Sequence, residues 1–161
     1  MEGEKLIGTL CRNTTLTSLD LDWNCLGSKE GKAIAKFLCK NNTLISLSIH
    51  GNDLGSEGAE AIAEALCSNT VLTTLYLGDN QIRSEGIKAL AKALYINTTL
   101  TTLSIGFNQL DFEGGNALME ALCVNTTLYS LDIYDHELNF KELKSFIDGV
   151  RENNHLVSLT Y

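Results

Sequence analysis

The 161 residues are 44% hydrophobic and 20% charged, a composition that suits one soluble domain with a substantial core and excludes a disordered chain. Twenty acidic against twelve basic side chains leave a formal charge of -8, which argues against nucleic acid or an anionic membrane as the main partner and points to a basic one. No apolar run approaches the ~18 residues of a membrane span, and Met1-Glu2-Gly3-Glu4-Lys5 lacks the basic start and apolar core of a signal peptide, so residence in the cytoplasm is expected.

From the N-terminus, residues 5–12 carry Leu6, Ile7 and Leu10, which stand 28 residues before Ile34, Ala35 and Leu38. The chain is therefore expected to open inside the helix of an incomplete unit. From Asn13 one pattern recurs with a period of 28 residues. Asparagine returns at Asn41, Asn69, Asn97, Asn125 and Asn153, and a leucine follows each three residues on, from Leu16 to Leu156. Two more apolar columns run from Leu19 to Leu159 and from Leu21 to Tyr161. Asn24, Asn52, Asn80 and Asn108 close the unit, and Leu26, Leu54, Ile82, Leu110 and Leu138 follow, giving L-x-x-L-x-L-x-x-N-x-L. The closing amide can bond turn backbone in its own coil and the next. His136 breaks this column but retains a hydrogen bond to donate.

Within each unit, alternation such as Leu19-Asp20-Leu21-Asp22 predicts a strand buried on one face, and the fixed period stacks the strands in parallel. Strands are expected to centre on residues 19–21, 46–49, 74–77, 102–105, 130–133 and 156–159. The second half of the unit opens with Gly27-Ser28, Gly55-Ser56 or Arg83-Ser84, which suggests serine N-caps, with Glu57, Glu85 or Glu113 in the first helical turn. Inward faces pair at i and i+4, as in Ile34 with Leu38, Ile62 with Leu66, Leu90 with Leu94, Leu118 with Leu122 and Phe146 with Val150. Lys36, Glu60, Glu64, Lys88 and Lys92 fall on the opposite, solvated face. Residues 1–161 are read as a single domain of five full 28-residue repeats from Asn13, with partial repeats at both ends. The last strand, up to Tyr161, is expected to present an open edge with a capacity for weak self-association.

Cys11, Cys39, Cys67 and Cys123 share one repeat position near the helix ends. Neighbouring helices stand roughly 8–10 Å apart, too far for disulfides, whose alpha carbons lie within about 4.4–6.8 Å. The column is read as buried, reduced thiols. There is no C-x-x-C, and His50, His136 and His155 fall in separate repeats, so neither metal nor cofactor is expected. The N-x-T triplets at Asn13, Asn41, Asn97 and Asn125 arise from a structural column and are expected to be unmodified.

These columns identify the whole chain as resembling leucine-rich repeat proteins, and the 28-residue unit with a helical second half is similar to the ribonuclease-inhibitor-like subtype. The resemblance implies an α/β fold: a right-handed solenoid, a horseshoe segment with a parallel β-sheet on its concave face and helices on its convex face. Similar units occur in ribonuclease inhibitor, in NOD-like receptors, in effectors that intracellular bacteria deliver into host cells and in Ran GTPase-activating protein. What this implies is a protein–protein interaction module, of effector or innate-immune type, in the cell's own cytoplasm or a host's. The alternative it implies is a GTPase activator, to which no activating residue is carried over.

The polar positions between the leucines point to the concave surface, about 4.8 Å apart on successive rungs. One column reads Asp20, Ser48, Tyr76, Ser104, Asp132, the next Asp22, His50, Gly78, Gly106, Tyr134, and the third Trp23, Gly51, Asp79, Phe107, Asp135. They hold no lysine or arginine and are read as free of the repeat's own structural demand. Asp20, Asp22, Trp23, His50, Tyr76, Asp79, Phe107, Asp132, Tyr134 and Asp135 are the candidate partner-binding residues, aromatic anchors surrounded by carboxylates. Asp22, His50 and Ser48 loosely imitate a catalytic triad, but Ser48 and His50 sit roughly 6–7 Å apart along one strand, beyond the hydrogen bond that activates a serine. No catalytic residue is assigned and no enzyme activity is expected.

Overall fold

The computed structural model describes residues 8–10, 12–151, 153 and 155–161. Of the expected opening helix, residues 8–10 are helical, while Leu6, Ile7 and Cys11 lie outside the described residues. Beyond it, among the described residues, six three-residue strands alternate with five further helices: β1 (Ser18–Asp20), α1 (Ser28–Leu38), β2 (Ser46–Ser48), α2 (Gly55–Leu66), β3 (Thr74–Tyr76), α3 (Arg83–Leu94), β4 (Thr102–Ser104), α4 (Phe112–Val124), β5 (Ser130–Asp132), α5 (Phe140–Val150) and β6 (Ser158–Thr160). The strands form one parallel sheet in sequence order. Their register repeats without a slip, Leu19 opposite Leu47, then Leu75, Leu103, Leu131 and Leu159. The result is a leucine-rich repeat solenoid with the sheet on its concave side and the helices on its convex side.

The core is the space between sheet and helices. Leu47, Leu75, Leu103 and Leu131 from the strands are sealed there, as are the i, i+4 pairs from Ile34/Leu38 to Phe146/Val150. Two asparagine ladders carry the polar load. Asn69, Asn97, Asn125 and Asn153 are buried; the Asn97 amide donates to Leu66 O at 2.9 Å on the previous coil, and its Oδ1 accepts from the Thr99 and Leu100 N–H groups. The Asn125 amide likewise donates to Leu94 O at 2.8 Å. The closing ladder is deeper still: Asn80 donates to Ile49 O, Leu77 O and Gly78 O, each at 2.9 Å, and its Oδ1 accepts from Asn52 N at 3.1 Å and Leu54 N at 3.4 Å. Every buried side-chain nitrogen or oxygen among the described residues has a partner.

Several local expectations are corrected. The serines do not cap their helices: α1, α2 and α3 start from Gly27, Leu54 and Ile82 without a side-chain cap. Ser56 donates instead to Ile82 O and Ser84 to Asp111 Oδ1, both at 2.6 Å, so these hydroxyls bind the next rung. The side-chain caps are Asp111, which accepts from Gly114 N, and Asn139, which forms a capping box with Glu142. At His136 the ring acts as an acceptor toward the turn backbone. Its Nδ1 accepts from the Leu138 N–H at 3.2 Å. The cysteines are also turned out: Cys39, Cys67 and Cys123 are exposed free thiols, as is Cys25. Each of the first three follows a buried leucine by one residue, and a rotation of about 100° around the helix carries the thiol from core to solvent. On the convex face Lys32 meets Glu57 at 2.5 Å, and Lys88 meets Glu85 and, on the next coil, Glu113.

Candidate concave interaction site

The strands place Asp20, Tyr76 and Asp132 in register on the concave side, and just beyond them the chain turns. At that turn Trp23, Gly51, Asp79, Phe107 and Asp135 all adopt left-handed backbone, with φ of 57°, 65°, 52°, 58° and 58°. The column is therefore not free of structural demand, which corrects the reading from sequence. The left-handed residue directs the closing asparagine into the coil, where its amide reaches the carbonyl just before the turn, as in Asn52 to His50 O and Asn108 to Gly106 O. Glycine, asparagine and aspartate suit this backbone, while a bulky side chain costs roughly 1–2 kcal/mol there. Trp23 and Phe107 stand in it nonetheless, 65% and 46% exposed.

Each of these two rings has a ring partner 27 positions later. Trp23 meets His50 edge-on with centroids 4.9 Å apart, and Phe107 meets Tyr134 in the same manner at 5.3 Å. The Trp23 indole lies across Gly51 and the His50 ring lies against Gly78, where in either case a Cβ would overlap the ring. Tyr76 and Tyr134 are exposed as well.

The carboxylates hold the rungs in shape. Asp22 Oδ1 accepts from Ser48 Oγ at 2.6 Å and from the His50 N–H at 2.7 Å. The proton of Ser48 is thus directed at Asp22 rather than at the imidazole. Asp20 and Asp132, equivalent in the repeat, each accept from the N–H two residues on, Asp22 N at 2.9 Å and Tyr134 N at 3.0 Å. Asp132 also takes the Ser104 hydroxyl at 2.8 Å. Asp79 is half-buried and Asp135 exposed, both at the turn. Along the sheet the rings gather into a Trp23–His50 end and a Phe107–Tyr134 end, with Tyr76 between. Among the described residues no three His, Cys, Asp or Glu side chains converge on a metal-sized point.

Strict alternation missed one exposed column. Ile45, Tyr129 and Val157 are 46%, 54% and 67% exposed at the entrances of β2, β5 and β6. The reason is a bulge that recurs along the sheet: Ile45 N and Ser46 N both donate to Thr17 O, and Tyr129 N and Ser130 N both donate to Thr101 O. Two consecutive amides directed at one carbonyl break the two-residue period and turn the first side chain out to solvent. The recurrence of position 45 at the repeat period was visible in the sequence; the bulge was not.

Four stretches, residues 12–35, 40–63, 68–91 and 97–119, match the family model described as Leucine Rich repeat and together cover more than half of the chain. The chain belongs to the leucine-rich repeat family. Solved structures with the same architecture include the leiomodin-1 actin-binding site 2, with a TM-score of 0.74 and 21% identity over 94% of this chain and 87% of that one. Another is the tropomodulin C-terminal domain of Caenorhabditis elegans, with a TM-score of 0.76 and 13% identity over 95% and 93%. TLR13 in complex with ssRNA13 is similar at a TM-score of 0.55 and 21% identity, over 93% of this chain and 19% of that one. At these identities the likeness is one of fold. No curated protein matches the sequence. No helix of the described residues is long and apolar enough to cross a membrane.

Proposed function

We propose that the protein is an interaction module whose concave face binds a protein partner with a basic surface. Trp23, Tyr76, Phe107 and Tyr134 are its anchors, with Asp20, Asp22, Asp79, Asp132 and Asp135 as the charged surround and His50 supporting Trp23. The observation that carries this reading is the placement of two large exposed rings, Trp23 and Phe107, on left-handed backbone at a repeat position that holds glycine or aspartate in the other units, Gly51, Asp79 and Asp135. A residue kept against its backbone preference points to a role outside folding. Aromatic area supplies affinity, while carboxylates steer encounter and select charge. In this reading residues 1–161 form one domain of the ribonuclease-inhibitor-like subtype that works in the cytoplasm of its own cell or, as an effector, of a host.

Binding to a captured partner tests it. Trp23→Ala is expected to weaken the complex by about 2 kcal/mol through faster dissociation. Asp132→Asn is expected to slow association, an effect that fades as salt rises. The convex control Lys92→Ala should do neither, and a larger loss from the control than from the concave changes overturns the proposal.

A further inference from the structure

The two ring pairs are copies of one device. Trp23–His50 and Phe107–Tyr134 both join a left-handed turn residue to the residue 27 positions on, with edge-on geometry and centroids 4.9 and 5.3 Å apart. The two pairs of positions between them are Gly51 with Gly78 and Asp79 with Gly106, which carry no ring. The concave surface therefore has an aromatic seat at each end and a floor between that carries the exposed Tyr76, with Gly51 beneath the Trp23 indole and Gly78 against the His50 ring. Asp20 and Asp22 flank the first seat, Asp132 and Asp135 the second, and Asp79 stands in the floor.

Resting on the reading that this face binds a basic partner, we propose that its occupant is an extended peptide segment with two arginines four residues apart, one on the Trp23–His50 seat and one on the Phe107–Tyr134 seat. A guanidinium placed on an aromatic face and paired with a nearby carboxylate satisfies both features of each seat. The spacing selects the conformation. Three rungs separate Trp23 from Phe107, roughly 14 Å. In an extended chain residues i and i+4 share a face and lie about 13 Å apart. A helix returns to the same face after seven or eleven residues, about 10.5 or 16.5 Å, and misses by roughly 2–4 Å.

Trp23 is the sole tryptophan, so its fluorescence reports on the first seat directly. The probes are capped twelve-residue glycine–serine peptides with two arginines spaced at i+2, i+4 or i+7, and a single-arginine control. The i+4 peptide is expected to perturb Trp23 emission and to bind about tenfold more tightly than the i+2 and i+7 peptides. Phe107→Asp, which installs the residue found at the equivalent positions 79 and 135, should reduce the i+4 peptide to the affinity of the single-arginine control while circular dichroism stays unchanged. Trp23→Gly, which installs the residue found at the equivalent position 51, should do the same by calorimetry. Equal affinity at all spacings, tighter binding of the i+7 peptide, or no response to any peptide overturns the two-seat arrangement. The broader concave-face reading fails separately, if a captured partner binds Trp23→Gly and Phe107→Asp as well as the parent protein.

Discussion

The indole of Trp23 lies across the backbone of Gly51, the residue that occupies the same repeat position one rung later. Gly51 is left-handed at φ 65°, and a Cβ there would overlap the six-membered ring of the indole. Gly51→Ala is therefore expected to lower stability by about 1–2 kcal/mol from the backbone alone and to lift Trp23 off its support. Denaturant unfolding measures the first effect, and the emission maximum of the sole tryptophan measures the second. An unchanged midpoint and spectrum would show that the ring does not rest there.

Phe107 offers the opposite trade. Phe107→Asp relieves a bulky left-handed residue, a gain of roughly 1 kcal/mol, and loses the edge contact with Tyr134, worth about 0.5–1.5 kcal/mol. Folding stability is expected to stay within about 1 kcal/mol of the parent, while partner binding falls. A loss of several kcal/mol in denaturant titration would instead assign Phe107 to the fold.

Asn80 is expected to be among the most sensitive polar positions. It is wholly buried and serves five backbone groups. Asn80→Ala orphans several of them, and each costs about 1–3 kcal/mol when left buried, so a loss of at least about 3 kcal/mol is expected in equilibrium unfolding. The converse applies at His136, where the ladder ends. The Asn52 and Asn80 N–H groups each bond the amide oxygen of the next rung, and His136→Asn offers Asn108 the same acceptor. A gain of about 1 kcal/mol is expected, read as a raised midpoint.

Acid should loosen the joint between α3 and α4. Partial burial pushes the Asp111 carboxyl up, but the Ser84 hydroxyl, the Gly114 N–H and the charge of Lys88 outweigh it, and the pKa lies below its ordinary value of 3.8. A carboxylate with a depressed folded pKa gives stability that is present above the unfolded value and lost as pH falls through the folded one. Stability should thus be flat from neutrality down to about pH 5 with respect to this group and decline below about pH 4. Asp111→Asn keeps an oxygen for the cap and should flatten part of that acid limb in urea titrations. An identical limb in parent and variant would remove Asp111 from the account.

The thiols provide a test independent of binding. Cys25, Cys39, Cys67 and Cys123 are exposed, so an alkylating reagent is expected to modify all four in the folded protein without added denaturant. Mass spectrometry counts the adducts, and protection of Cys39, Cys67 and Cys123 until unfolding would restore the buried column.

The sequence alone determined the period, and with it strand order, parallel direction and an unbroken register, because every rung must bury the same leucines and bond the same asparagines. It also determined the helices' inward faces, from Ile34 and Leu38 to Phe146 and Val150, since a 3.6-residue repeat leaves one stripe to pack. Tertiary structure decided what lies between rungs. Whether Ser84 caps its own helix or bonds Asp111, and whether Asp22 meets the imidazole of His50 or its backbone N–H, depends on distances across coils that local sequence does not encode. The bulge that exposes Ile45, Tyr129 and Val157 exists because two amides compete for one carbonyl of the preceding strand. The pairing of Trp23 with His50 and of Phe107 with Tyr134 follows from the left-handed turn, which brings side chains 27 positions apart to within about 5 Å.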